Sequence, residues 1–126
     1  MRWGFIPSWA KDPAIGFRSI NARSEAAADK PAYRAAFKRR HCLVPASGFY
    51  EWRTEEKQKL PTLFKPHEGL FAFAGLWEKW EGDDSPLETF TILTTSANAV
   101  VAKTHDRMPV IIDRADYAAW LSPSGP

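Results

Sequence analysis

Apolar and polar residues alternate with a period of two over several short stretches of this chain, and Gly, Pro or a run of charge closes each stretch. Such alternation marks half-buried strands. It predicts strands over residues 17–23 and near 49–53, 62–65, 70–77 and 88–95, with an apolar strand opening at Cys42. The charged segments 53–59 and 81–86 read as exposed hairpin connections. Helical spacing is rarer. Ser24 can cap a helix starting at Glu25, which Pro31 interrupts, and beyond it Tyr33 and Phe37 supply a buried i, i+4 stripe up to about Arg40. A short helix is expected at 97–103. Asp113 is the expected N-cap of a last helix over 114–121, with Tyr117 and Leu121 on one face and Trp120 alongside. Strands mixed irregularly with helices, and no repeating βαβ unit, predict an α+β fold with a mostly antiparallel middle.

One stretch concentrates the chemistry. Cys42-Leu43-Val44-Pro45-Ala46-Ser47-Gly48-Phe49-Tyr50-Glu51-Trp52 sets a carboxylate among aromatics directly after a Pro/Gly turn. On a strand Glu51 shares a face with Phe49, while Tyr50 and Trp52 take the other. Against a ring a carboxyl is desolvated, its neutral form is favoured, and its pKa rises toward the range useful for general acid or base work. A Glu on the solvent face of an amphipathic hairpin has the same local sequence, and the residues alone leave both readings open.

Composition removes some function classes. A chain of 126 residues with 44% apolar content, six Trp and eight Phe is expected to fold as one domain with a real core. No run of about 18 apolar residues is present to cross a membrane, and no signal-peptide core follows Met1, so the expected location is cytoplasmic. The single Cys42 and the scattered His41, His67 and His105 offer no zinc-like spacing, so neither a metal nor another cofactor is expected. Net charge is only +2, yet residues 1–60 carry 12 Lys/Arg against 6 Asp/Glu and residues 61–126 carry 5 against 9. The first half is basic. Its densest run, Lys38-Arg39-Arg40-His41, fits phosphate contacts and equally fits a solvated helix C-terminus.

Three further places could carry chemistry. Asn21 and Arg23 share one face of a strand, joining an amide that donates and accepts to a fork suited to phosphate; the pair could equally tie down a neighbouring turn. His105 sits on a loop beside Asp106 and Arg107, where an imidazole can titrate near neutrality or simply shape the turn. Trp9, in Ile6-Pro7-Ser8-Trp9, could stack on a base or anchor a core.

Five motifs in order resemble the SOS-response-associated peptidase (SRAP) family. They are Trp3-Gly4-Phe5-Ile6-Pro7-Ser8-Trp9, Asn21-Ala22-Arg23-Ser24-Glu25, the stretch 43–52, Phe73-Ala74-Gly75-Leu76-Trp77 and His105-Asp106-Arg107-Met108-Pro109. The resemblance spans nearly the whole chain. It implies an SRAP-like fold of curved, mostly antiparallel, barrel-like sheets with flanking short helices. It implies binding to single-stranded DNA and covalent reaction with abasic sites, whose ring-opened sugar exposes an aldehyde. The family is also named for a proposed peptidase activity that removes its own initiator Met. By the same resemblance Glu51 shuttles the proton that opens the deoxyribose ring, His105 assists proton transfer, and Asn21 orients the nucleophile. Arg23, Arg107 and Trp9 match positions that hold phosphates or wedge at the bases, although Ala10 stands where relatives can carry a second aromatic.

The beginning departs from the family pattern. Family members start Met-Cys-Gly-Arg upstream of the motif matching Arg2-Trp3-Gly4, and that Cys is the nucleophile whose α-amine and thiol close on the aldehyde as a thiazolidine. Here the sequence opens Met1-Arg2, and the internal Cys42 has no free α-amine. Relatives also continue beyond the helix at 114–121. The expectation is therefore a single SRAP-like domain over 1–126, incomplete at both ends and lacking the nucleophile. Two alternatives stay open: a noncovalent nucleic-acid-binding module, and a thiol hydrolase using Cys42 with His105.

Overall fold

The computed structural model describes residues 1–55, 58–82 and 85–122. The main sheet is organised around β7 (Leu87–Ser96). One edge of β7 takes β6 (Phe71–Trp80) antiparallel, and β3 (His41–Ala46) lies antiparallel beyond it. The other edge takes β1 (Arg2–Trp3) and β2 (Asn21–Arg23), both parallel to β7. These parallel additions qualify the antiparallel expectation, which holds for the middle of the chain.

Strands β6 and β7 pair only from Gly75–Ile92 to Trp80–Leu87. They then part, and residues 107–112 fill the gap. Strand β8 (Arg107–Pro109) pairs with β7, the Val110 amide donates to the Leu93 carbonyl at 2.8 Å, and the Ala74 amide donates to the Val110 carbonyl at 2.9 Å. This wedge bends the sheet into a half-barrel. At Gly75, where the strands separate, a Cβ would stand 2.8 Å from Cys42 Sγ and 3.1 Å from the Thr91 carbonyl oxygen, so no larger residue fits.

A second, two-stranded sheet is the hairpin of β4 (Phe49–Glu55) and β5 (Gln58–Phe64). An aromatic cluster fixes it to β6: the Phe49 ring lies 5.2 Å from Phe64, 5.6 Å from Phe71 and 5.9 Å from Phe73. Such pairs add about 0.5–1.5 kcal/mol each beyond the area they bury. The main core forms where α1 (Ser24–Ala27) and α2 (Arg34–Arg39) cover the sheet with Phe5, Ala22, Tyr33, Leu76 and Leu93. Trp120 of α3 (Tyr117–Leu121) packs against this core and donates its indole N–H to the Cys42 carbonyl at 2.8 Å.

Several element boundaries differ from the expected ones, each for a local reason. Residues 17 and 18 belong to a 3-10 helix, Pro13–Arg18, because Pro13 presets its first turn and the Asp12 carboxylate accepts the Ala14 N–H; strand geometry starts only at Asn21. Ser24 is the first helical residue rather than the cap, and the second helix begins at Arg34 with Tyr33 preceding it. Strands β4 and β5 run further into the charged segment than expected, through Glu55 and from Gln58; the expected connection at 56–57 lies outside the described residues. So do Asp83 and Asp84 of the expected 81–86 connection. Within 97–103 only Val101–Lys103 is helical, because the Asn98 side chain takes the N–H groups of Val100 and Val101. The last helix is split into a 3-10 turn, Arg114–Asp116, and α3; Trp120 is its inward residue, whereas Leu121 is half exposed.

Candidate functional site

Between the hairpin and the concave side of the main sheet lies a cavity of about 510 Å³. Its wall is mostly apolar: Val44, Pro45, Phe49, Phe73, Phe90, Ile92 and Pro109. Trp3 closes one side, its ring parallel to Phe90 within 7° at 6.3 Å and its indole N–H donated to the Ile20 carbonyl at 2.7 Å. Asn21 and Glu51 bring an amide and a carboxyl into the lining, and Tyr50 also borders it.

The alternation of β4 puts Glu51 there. Phe49 and Glu51 face inward, and Tyr50 and Trp52 remain 62% and 53% exposed on the outer side. With 21% of its side chain accessible, Glu51 is not a solvent-face residue. Burial raises its pKa above the ordinary value; the neighbouring His105 opposes the rise and Asp106 adds to it. Glu51 Oε2 lies 3.5 Å from His105 Nδ1.

His105 Nδ1 has more than one neighbour. The Arg107 backbone N–H points at it from 3.0 Å, the Arg107 carbonyl oxygen is at 3.2 Å, and Asp106 Oδ1 is at 3.5 Å. With a lone pair this nitrogen accepts from Arg107; with a proton it can donate toward the carbonyl or toward Glu51. A ring that can play either part beside a carboxyl of raised pKa is placed to take and return a proton.

On β2 the buried Ala22 faces the core, and Asn21 and Arg23 are exposed on the opposite face, as the strand alternation requires. The Arg107 guanidinium is already engaged. Its Nη1 and Nη2 donate to Glu25 at 2.6 and 2.8 Å, and Nη2 also donates to the Thr94 carbonyl at 2.8 Å. This fork holds the Glu25 carboxyl down at about 2. Trp9 is 63% exposed on its loop and does not line the cavity. Asn21 and Glu51 line one cavity with His105 beside Glu51, Arg23 and Arg107 stand on two strands that each pair with β7, and Trp9 lies apart.

Other expected features resolve differently. Arg40 is tied to the buried Glu78 at 2.7 Å and donates to the Trp77 carbonyl, and Lys38 and Arg39 form the last turn of α2. The 38–41 run is a helix end first. His41 turns its ring nitrogens to the carbonyl oxygens of Trp120 and Phe37 and stacks on Trp120 with centroids 3.7 Å apart. Burial pushes the Cys42 thiol up to about 11, so it is not a thiolate near neutrality, and among the described residues it bonds to no histidine. That removes the basis for a Cys42/His105 hydrolase.

Sequence reasoning assigned no role to Trp3, Phe90 or Pro109 as cavity wall, and none to Glu25 as the partner of Arg107. Trp3-Gly4 and Asp106-Arg107 were visible as motifs. Their partners come from segments far away in sequence.

The family model for SOS response associated peptidase (SRAP) matches residues 1–126. The chain belongs to the SRAP family. This SRAP chain is 47% identical over 126 residues to the abasic site processing protein YoqW of Bacillus subtilis, covering 98% of the chain and 56% of that relative. It is 32% identical to the abasic site processing protein HMCES of Xenopus tropicalis, covering 96% of the chain and 44% of the relative. A crystal structure of a protein from Bacteroides thetaiotaomicron superimposes with a TM-score of 0.90 at 33% identity, over 98% of the SRAP chain and 58% of that protein. The chain spans about half the length of the curated relatives it matches.

Proposed function

We propose that this chain supplies the proton-transfer residues and part of the DNA-binding surface of a site that captures abasic sites in single-stranded DNA. The observation that carries this reading is the approach of Glu51 Oε2 to His105 Nδ1, 3.5 Å apart, with Asn21 in the wall of the same cavity. The names of the relatives, abasic site processing proteins, support it.

A ring-closed abasic sugar must lose the proton of its anomeric hydroxyl, and its ring oxygen must gain one, before an aldehyde is exposed. Glu51, with its raised pKa, can perform both transfers as base and then acid, with His105 relaying the proton. Asn21 offers an amide that both donates and accepts, suited to hold the incoming amine. The family chemistry then adds the α-amine of an N-terminal Cys to the aldehyde carbon and expels water. The sulfur then adds to the same carbon across the C=N bond, and the thiol proton ends on the ring nitrogen. Arg23 holds a flanking phosphate.

The test uses a longer form of the protein that starts with the family's Met-Cys. Single-turnover crosslinking to abasic single-stranded DNA should slow by about 10²- to 10⁴-fold in Glu51→Gln, the usual worth of a positioned acid or base, with DNA affinity nearly unchanged. An unchanged rate returns Glu51 to a structural role. A polypeptide of residues 1–126 alone should give no denaturation-resistant adduct, and a stable adduct mapped to Cys42 by mass spectrometry contradicts the mechanism.

A further inference from the structure

We propose that Glu25 is a positioning residue of the proton-transfer pair: by holding the Arg107 side chain it keeps the Arg107 main chain seated on His105, at the expense of a phosphate contact by Arg107. The inference rests on the reading of the cavity as a site that captures abasic sites in DNA. Three links lead from Glu25 to Glu51. The Glu25 carboxylate accepts from Arg107 Nη1 and Nη2 at 2.6 and 2.8 Å, and Nη2 also donates to the Thr94 carbonyl and hydroxyl oxygens at 2.8 and 3.2 Å. The Arg107 backbone N–H and carbonyl oxygen both face His105 Nδ1, at 3.0 and 3.2 Å. That nitrogen lies 3.5 Å from Glu51 Oε2.

The imidazole depends on Arg107. The loop's own backbone is held by the His105 N–H on the Val101 carbonyl and by the Ala97 N–H on the Asp106 carbonyl, at 2.9 and 3.0 Å, and neither bond fixes the ring. Among the described residues the hydrogen bonds of the His105 ring all go to the Arg107 main chain. Arg107 opens β8 at the end of its ladder with β7, so its side-chain tether adds to a register that the strand alone holds from one side. With the Arg107 N–H aimed at Nδ1, the neutral ring keeps its proton on Nε2. Glu25, held down at about 2, is a full carboxylate near neutrality and satisfies the fork that a DNA phosphate would otherwise take.

Glu25→Gln keeps the size of the side chain and removes its charge. In the longer form that starts with Met-Cys, single-turnover crosslinking should slow by about 10- to 100-fold, as a misplaced catalytic group does. In the 126-residue chain, binding to an oligothymidylate should instead tighten, and the slope of log affinity against log salt should steepen by about 0.7 as the freed guanidinium takes a phosphate. That gain should vanish when Glu25→Gln is made in an Arg107→Ala background. At a pH where the ring is neutral, nitrogen NMR of His105 should report a proton on Nε2 in the unmodified chain and a shift toward the average of the two tautomers in Glu25→Gln.

A crosslinking rate within twofold of the unmodified protein overturns the positioning role, and the reading of the cavity then stands or falls on Glu51→Gln alone. Slower crosslinking with weaker DNA binding and unchanged His105 ring signals means that only stability was lost, and the inference is overturned. Tighter binding that persists without Arg107 is a bulk charge effect and overturns the phosphate competition.

Discussion

Glu51 shows how one side chain's surroundings set both its chemistry and its energetic cost. Its pKa is raised mainly by burial, so the ionised form is the disfavoured one in the folded state. An acid raised on folding contributes stability that is full below its unfolded value, 4.5, and is lost as pH rises through the folded value. Glu51→Gln should therefore leave stability nearly unchanged below that pH and increase it near neutrality. Urea denaturation of both proteins at two pH values checks the sign; a destabilised variant at neutral pH contradicts the desolvated placement. That Glu51 shares a face with Phe49 was legible from the period-two pattern after Pro45 and Gly48, but which way that face turns was left open. The approach of His105 was not legible at all, because no local spacing links a residue of β4 to the loop before β8.

At the scale of elements, the Arg107–Glu25 fork joins β8 to the first turn of α1, a helix without a side-chain cap. Glu25 is held far below its usual value, so its contribution is present above pH 4.5 and is lost as pH falls toward about 2. Glu25→Gln should lower Tm near neutrality, and the difference should vanish at the acid end of that window. The same fork predicts an asymmetry in DNA binding. Arg23→Ala should flatten the salt dependence by about 0.7 per lost phosphate contact, and Arg107→Ala should flatten it less, because its terminal nitrogens are already engaged. Equal effects in a salt titration contradict this. Residues 17 and 18 show why some elements were misread: their alternation suits a strand, but Asp12 and Pro13 start a 3-10 turn first.

For the whole molecule, the basic first half overstates the free positive surface. Arg40 is consumed by Glu78, and Lys38 and Arg39 occupy the last turn of α2; Arg23, two residues from the cavity-lining Asn21, is exposed. The 126-residue chain should accordingly bind single-stranded DNA weakly, with log affinity falling by about 0.7 per neutralised phosphate as log salt rises. An affinity that does not change between low and moderate salt rejects the electrostatic footprint. The family was legible because five motifs kept their order along the chain, and the α+β class because strands and helices mix irregularly. The parting of β6 and β7 was not legible, since nothing in Phe71–Trp80 announces that its first residues pair with 110–112 rather than with β7.

That wedge governs when the site comes into existence. Glu51 belongs to a local hairpin, whereas His105 stands just ahead of the segment that must enter between two strands already paired at their far ends. Pairing of Leu93 and Ala74 with Val110 spans very different loop lengths, and the longer closure costs more chain entropy. Glu51 and His105 therefore meet only when the hairpin and the segment after His105 are both in place. A partly folded molecule that holds the hairpin without the wedge would present Glu51 without the imidazole that lies 3.5 Å from it in the complete fold.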